Sequence, residues 1–446
     1  MSELPQGWVR ATVGELAELA DGPFGSNLKN AHYSDSGPRV VRLQNIGDGV
    51  FRDEHAHITQ EHYDQLVKHA VRPRDIVAAS LGEDAPRACL IPPWLGPAIV
   101  KADCIRVRVL GGIEPRFLMW MLNSAPVRAQ AAPAIKGVGR PRLGLGGLKR
   151  LAVPLPPVPE QRRIVAAIEE HFSRLDAAEE SLRRAKNRTI SLRKTIRSLA
   201  VAEGVERSLG ELLDGIEAGK SFRCHGRPAA ADEWGVIKVS AMTWGSFDDQ
   251  ENKAVLTEDR IDPRWEIKPG DLLLSRANTT EYVGASVLVR TCRGRLLLSD
   301  KSMRLLVRQD IDKAWLHLAL NAPESRAQMS AVATGTSDSM RNISQEKVRA
   351  VRLRVPPLER QRQIVAEVER QLSIADTMAA EIGRAFKRSA ALRRSILAQA
   401  FSGKLVPQDP SDEPASALLE RIRAQRAAAE TATGRRPRRP ATMKAS

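Results

Sequence analysis

The strongest constraint on this chain is an internal repeat with a spacing of 200 residues. Pro156-Pro157-Val158-Pro159-Glu160-Gln161-Arg162-Arg163-Ile164-Val165 returns as Pro356-Pro357-Leu358-Glu359-Arg360-Gln361-Arg362-Gln363-Ile364-Val365, and seven of the first eleven aligned positions are identical. The register holds to Leu192-Arg193 against Leu392-Arg393 and Ala200 against Ala400. A repeat of this length fixes the plan of the molecule before any local reading. The double proline stops a preceding helix and lets the chain turn in. After Pro159 the first run reaches Ala202 without Pro or Gly.

Both runs read as long helices with a narrow apolar seam. The seam is Ile168, Leu175, Leu182, Leu192, Ile196 and Leu199 in the first copy, and Val368, Met378, Ile382, Leu392 and Ile396 in the second. Its two lines are 168, 175, 182, 189, 196 and 178, 185, 192, 199, a three-four spacing held over several heptads. So thin a stripe cannot hold an isolated helix in water, so the two helices are expected to pack on each other. At about 1.5 Å per residue, each is roughly 64 Å long.

The stretches before the two helices echo each other. Gly14-Glu15-Leu16 matches Gly210-Glu211-Leu212, Val71–Ile76 matches Ile267–Leu272, and Leu122-Asn123 matches Leu320-Asn321. The plan is therefore domain 1–155, helix 156–204, domain 205–355, helix 356–402, and a linker with a basic, disordered tail over 403–446. Each domain mixes short alternating strands with helical stretches, so the fold class is α+β. In the first, Thr12–Ala20 reads as a short amphipathic helix, Val40–Ile46 and Cys104–Leu110 as strands, and Phe117–Gln130 as one helix. Within the tail, Ala415–Ala429 can form a small helix and Gly434–Pro440 is expected to be disordered.

A formal net charge of +16 points to a polyanionic partner. No apolar run approaches 18 residues, so no membrane span is expected. No secretory leader is expected, because Met1–Trp8 carries Glu3 and Pro5 and has no apolar core. Cys89, Cys104, Cys224 and Cys292 lie far apart without a CxxC, as reduced thiols in a cytoplasmic protein would.

A search for catalytic chemistry comes back empty. Asp214–Ser221 ends in Gly219-Lys220-Ser221, but its first glycine is one residue late for a phosphate loop. The glycines of 137–147 do not form G-x-G-x-x-G after a strand. His55, His57 and His62 cluster without HExxH spacing, so no metal is expected there. Asp75 and Asp271 hold equivalent places in a shared turn, which points to capping rather than catalysis. No N-P-P-Y methyltransferase signature is present.

With these pieces assembled, the chain resembles the specificity subunits of type I restriction–modification enzymes. The P-P-[VL]-x-x-Q-R-x-I-V helix opening carries the likeness most sharply, with Arg360 where the first copy has Glu160. Gly22–Ser26, Val40–Gly49 and Gly335–Ser344 add to it, and the likeness covers residues 7–405. The resemblance implies two target-recognition domains, each reading half of a split, asymmetric double-stranded DNA site, on an antiparallel coiled coil that sets the gap. It implies docking of two modification (methyltransferase) subunits, which carry S-adenosylmethionine, and of restriction (endonuclease) subunits where present, which use ATP and Mg2+. The chain itself would bind no cofactor and catalyse nothing.

Base readout calls for Arg, Lys, Asn or Gln on loops, and phosphate contacts call for cations beside small residues. The first-domain candidates are Ser26, Asn27, Lys29, Lys136, Arg140 and Arg142. Those of the second are Lys220, Ser221, Arg223, Arg276, Asn278, Thr336, Ser337, Ser339, Arg341 and Asn342. A stand-alone sequence-specific DNA-binding coiled-coil scaffold fits the same residues. Co-purification with a protein bearing an N-P-P-[YF] motif would separate the two readings.

Overall fold

A computed structural model describes residues 4–23, 27–243, 245–256, 261–338 and 340–432. The chain forms two units, Met1–Glu180 with Phe386–Ser446, and Ser181–Ala385. Each long helix therefore gives part of its length to each unit.

In the first unit the strands Val9–Thr12 and Ala152–Leu155 pair antiparallel and bring the domain's ends together just before Pro156. An antiparallel sheet runs in the order Ala17–Asp21, Cys104–Val109, Ile76–Ala79, Arg87–Leu90. A second small sheet holds His57–Ile58, Tyr33–Val41, Ala98–Val100 and Ala70–Val71, with its central pair parallel. Ile76–Ala79 is buried on both faces. Because a strand alternates its side chains, Ile76 and Ala78 enter the core under the long helix, and Val77 and Ala79 enter a second core under the small sheet.

Local sequence preference gives way to pairing in three places. Thr12–Ala20 is not one helix. A capping box between Thr12 and Glu15 holds the single turn Val13–Leu16. Ala17–Asp21 then extends because Cys104–Val109 offers it a partner strand. The Val40–Ile46 strand ends at Val41, where buried Asn45 accepts the Arg42 amide at 2.8 Å and curls Leu43–Asn45 into a 3-10 turn. Phe117–Gln130 is two helices, Pro115–Leu122 and Ala125–Ala131. Asn123 breaks them apart, its amide giving and receiving hydrogen bonds with the Ala88 backbone at 2.8 and 2.9 Å.

The second unit repeats this plan. Val205–Ser208 pairs with Arg352–Val355. Its main sheet runs Leu213–Ala218, Ser302–Val307, Leu272–Ser275, Ser286–Leu288. Leu272 and Leu274 face one core and Leu273 the other. Asn321 treats Ser286 as Asn123 treats Ala88. The turn aspartates are structural: Asp75 accepts the Arg72 amide and holds Arg108, and Asp271 accepts the Lys268 amide and holds Arg304.

The long helices are Val158–Ser198 and Leu358–Phe401. In the first unit Arg393 lies on Asp176 at 2.5 Å, close to Glu179, and over the Phe172 ring at 5.0 Å. Ser389 donates to Glu179 at 2.6 Å. In the second unit Arg193 pairs with Asp376. The two helices thus run antiparallel, and the same Arg–Asp pair recurs at an offset of 200.

One line of the expected seam faces inward. Ile168, Thr189, Ile196, Val368, Ala375 and Ser389 are buried; Leu175, Leu182, Ile382 and Ile396 are half-buried. The other line does not. Leu192, Leu199, Met378 and Leu392 are 39–51% exposed. The true second line lies one residue later and includes Val165, Phe172, Glu179, Arg193 and Ala200, with Val365, Leu372, Phe386, Arg393 and Ala400 on the other helix. Arg193 and Arg393 lay their aliphatic stems along the seam and send their charges to a carboxylate, so charged residues occupy places that a search for apolar residues passes over.

Each opening motif is a clamp. Gln161 is fully buried, donates to the Pro156 carbonyl at 2.9 Å and accepts the Glu114 amide at 3.0 Å. Gln361 does the same with the Pro356 carbonyl and the Asp312 amide, both at 2.8 Å. Glu114 and Asp312 are the N-caps of the helices Pro115–Leu122 and Lys313–Leu320, so one side chain fixes each domain to its long helix.

The tail is docked rather than loose as far as residue 432. The helix Ala415–Ala432 buries Ala415, Leu418, Leu419 and Ile422 in the first unit's core. Asp412 pairs with Arg163 at 2.7 Å, and Arg423 with Glu15 at 2.7 Å. The stretch Gly434–Pro440, expected to be disordered, lies outside the described residues.

Candidate nucleic-acid interface

In the first unit a short hairpin, Ile135–Lys136 with Arg142–Leu143, carries the candidate loop. Its tip is exposed at Val138, and Lys136 and Arg140 are exposed beside it. The base is stitched to the sheet end by Leu143 N–H to the Ser80 carbonyl at 2.7 Å and Gly82 N–H to the Pro141 carbonyl at 3.0 Å. The hairpin closes one side of a 630 Å³ groove whose polar walls are Arg42, Gln44, Lys101, Asp103, Arg140 and Arg142. Gly22 permits the other side: a Cβ there would lie 2.2 Å from the Lys101 carbonyl oxygen.

Asp103 organises this groove. It sits at φ 68°, with its side chain only 12% exposed. It pairs with Arg140 at 2.9 Å and with Arg142 at 3.1 Å. Arg142 also faces Asp21 at 3.6 Å. Burial raises the Asp21 carboxyl above its ordinary range, and the Arg142 charge opposes that rise. One sheltered carboxylate thus holds two arginines side by side at the rim. Such an array can meet two phosphates, or one phosphate and a base edge.

Asn27 and Lys29 are exposed at the early loop; Ser26 lies outside the described residues. His62 reaches the Asn27 carbonyl at 2.9 Å and stacks on His32 with ring centres 4.0 Å apart. His57 meets the Gly37 carbonyl at 2.7 Å. Among the described residues no group of three or more His, Cys, Asp or Glu could hold a metal ion.

The second unit builds its version differently. The hairpin Thr334–Ser337 with Met340–Asn342 is extended by the strand Ala277–Asn278, which pairs Ala277 with Asn342 and Asn278 with Arg341. Arg276, Asn278, Arg341 and Asn342 are thereby gathered at one sheet end, with Thr336 and Ser337 in the adjoining strand. Ser339 lies outside the described residues. Arg341 is half-buried and donates to the Ala333 carbonyl at 2.6 Å, so it braces the hairpin. Arg276 is exposed; its backbone bonds to Lys301 and Ile343, and its guanidinium makes no hydrogen bond or ion pair with any described residue. Lys220 rests over the Trp265 ring at 4.6 Å, and Phe222 meets the same ring edge-on. Ser221 and Arg223 are exposed on the following turn. The phosphate-loop look-alike is mostly strand: Leu213–Ala218 pairs with Ser302–Val307, and no helix follows Ser221.

Arg42, Gln44, Lys101 and Asp103 were not among the sequence candidates. They come from two separate segments, 42–44 and 101–103, that meet each other and the hairpin only in the fold. The left-handed aspartate before the Cys104 strand leaves no composition signal.

No protein-family profile matches the chain. The chain is similar end to end to the EcoKI specificity subunit, a type I restriction enzyme component of Escherichia coli K12, with 24% identity over 96% of this chain and 97% of that protein. Over almost its whole length the chain is similar to type I restriction specificity subunits. The StySPI specificity subunit of Salmonella potsdam is 22% identical over 95% of this chain and 96% of its own length. The EcoEI subunit of Escherichia coli is 31% identical, but that match covers 38% of this chain and 29% of the relative. Two solved structures share the fold, each at 21% identity. One, from work on assembly and conformational transition of a type I restriction–modification system, is covered in full, with 91% of this chain and a TM-score of 0.70. The other, the HsdS subunit of Thermoanaerobacter tengcongensis, has a TM-score of 0.55 with 90% of this chain and 98% of that chain covered. No helix among the described residues is long and apolar enough to cross a membrane.

Proposed function

We propose that the chain recognises a bipartite, asymmetric site on double-stranded DNA and catalyses nothing itself. Each α+β domain reads one half-site. The long helices set the gap and dock two modification subunits, which bring S-adenosylmethionine and methylate adenine; restriction subunits with ATP and Mg2+ join where present.

One observation carries this reading. The two units share a scaffold but present different chemistry from the same edge: arginines held by Asp103 in one, Lys220 on a Trp265 shelf with Arg276 in the other. A duplicated reader with unlike loops suits a split target whose halves differ. The +16 net charge supplies the phosphate attraction.

The test changes Arg140 and Arg142 to Ala together. Affinity for the cognate site should fall relative to random duplex, and the salt slope should drop by about 1–2. Unchanged selectivity and unchanged slope would take the hairpin out of the groove. Mapping methylated adenines with and without the gene would reveal the split motif itself. Removing one or two heptads from a single helix should alter the preferred gap or abolish assembly.

A further inference from the structure

The repeat exposes a missing counter-ion. Arg128 and Arg326 occupy equivalent places on the second short helix of each domain, five residues after Asn123 and Asn321. Arg128 meets the Asp48 carboxylate at 2.5 Å. Asp48 aligns with Trp244, which has no charge to offer. Arg326 donates instead to the carbonyls of Glu281 and Val283 at 2.9 and 2.7 Å, and no carboxylate pairs with it among the described residues. Burial pushes its guanidinium down to about 10. Arg326 is half-buried, and a partly desolvated cation with only neutral acceptors is costly, a cost that an external anion relieves.

Arg326 lines a cleft of 750 Å³ between the second domain and its stretch of long helix, within the second unit. Two further donors line it. Arg197 makes no hydrogen bond or ion pair with any described residue. His317 Nδ1 lies 3.2 Å from both the Asn321 amide nitrogen and the Ser286 hydroxyl, and its ring also lines the cleft. Burial, with Arg197 and Arg290 nearby, keeps this imidazole neutral. The lining carboxylates are mostly committed: Asp376 to Arg193, Glu369 to Arg290 at 2.6 Å; Glu281 is exposed. The equivalent cleft of the first unit is lined by Phe51, Pro92 and Trp94 with Arg74, Arg116 and Arg162, and Met119 and Leu397 stand where the second unit has His317 and Arg197, so its cations come from other positions.

We propose that the cleft bounded by Arg197, His317 and Arg326 binds a small free oxyanion of the phosphate class. Two guanidinium groups and an imidazole on the wall of one cleft suit an oxyanion, and the volume leaves room for a substituent of nucleotide size. This proposal stands apart from the DNA reading and survives its failure.

The experiment titrates inorganic phosphate into the full chain, with any co-purified partners, by calorimetry in a non-coordinating buffer. One saturable site per chain is expected. Arg197→Gln should weaken binding about tenfold, the usual cost of one charge-assisted donor. Thr243→Asp places a carboxylate on the cleft wall, in the segment where the first unit holds Asp48. It should abolish phosphate binding while leaving circular dichroism unchanged, so lost folding cannot mimic the result. Arg150→Gln, far from the cleft in sequence and in the other unit, should bind as wild type. No saturation up to ~10 mM phosphate overturns the proposal, as does undiminished binding by Thr243→Asp. Displacement of phosphate by random-sequence duplex would assign the anion to a DNA backbone and overturn the free-ligand reading.

Discussion

Changing Gln161 to Ala removes two buried hydrogen bonds at once and asks whether the helix-opening motif is a mechanical joint. The side chain is fully buried and bonds to both the Pro156 carbonyl and the Glu114 amide. A typical hydrogen bond is worth about 1 kcal/mol net, but a buried group left without a partner costs about 1–3 kcal/mol. Two such groups give a loss of roughly 2–4 kcal/mol, since the small cavity that remains can admit water. That corresponds to a fall in melting temperature on the order of 5–10 °C. Denaturant unfolding would supply the free energy, and amide hydrogen exchange at Glu114 the local readout. Protection of that amide should drop while the sheet Ala17–Asp21 with Cys104–Val109 stays protected. Gln361→Ala should act likewise on Asp312. The two joints share no partner, so the double variant should be additive within about 0.5 kcal/mol. A loss below about 0.5 kcal/mol for Gln161→Ala, with Glu114 still protected, would refute the joint.

Arg393→Ala removes ion pairs with Asp176 and Glu179 and the contact with Phe172; a loss of about 1–2 kcal/mol is expected, and a double-mutant cycle with Asp176→Ala should show coupling. Asp103→Asn frees Arg140 and Arg142 from their shared carboxylate. Random-duplex affinity should rise and discrimination should fall, measured by competition at fixed salt. His317 gives the pH dependence. Its folded-state value is pushed down to about 4, so the unfolded chain binds more protons between there and 6.5. Its stability contribution is therefore complete above 6.5 and is lost as pH falls toward 4. His317→Gln should flatten that limb of the stability–pH curve.

What the sequence disclosed is what the repeat wrote twice. The helix openings and the shared turn at Asp75 and Asp271 recur in register; Leu122-Asn123 and Leu320-Asn321 recur too, yet Phe117–Gln130 reads as continuous helix across the break they mark. The missed features share a different physics. Arg193 and Arg393 look like solvent-facing charges until a partner helix brings Asp376 or Asp176 beside them. Their recurrence at an offset of 200 was the available clue. The Asp103 groove assembles from residues 42–44, 101–103 and 140–142, and no local window contains it. Ala17–Asp21 kept the periodicity of a helix and became a strand because Cys104–Val109 lay alongside.

The pairs retained in both copies have a common design. Gln161 and Gln361, Asn123 and Asn321, and Gln130 and Gln328 each bridge two segments by bonding to backbone. Gln130 spans the Ala152 amide and carbonyl, and Gln328 those of Arg352. A side chain that grips backbone is indifferent to which side chains surround it. The equivalent aspartates Asp75 and Asp271 each hold an arginine of the neighbouring strand, Arg108 in one unit and Arg304, from the place of Arg106, in the other. The hairpins 135–143 and 334–342 can therefore change their chemistry while the fixtures holding them stay the same. Grafting the second hairpin onto the first unit should leave unfolding free energy within about 1 kcal/mol, while the half-site read by that unit changes. A graft that unfolds the first unit would mean that the hairpin carries part of the scaffold, and the separation of reading from framework would fail.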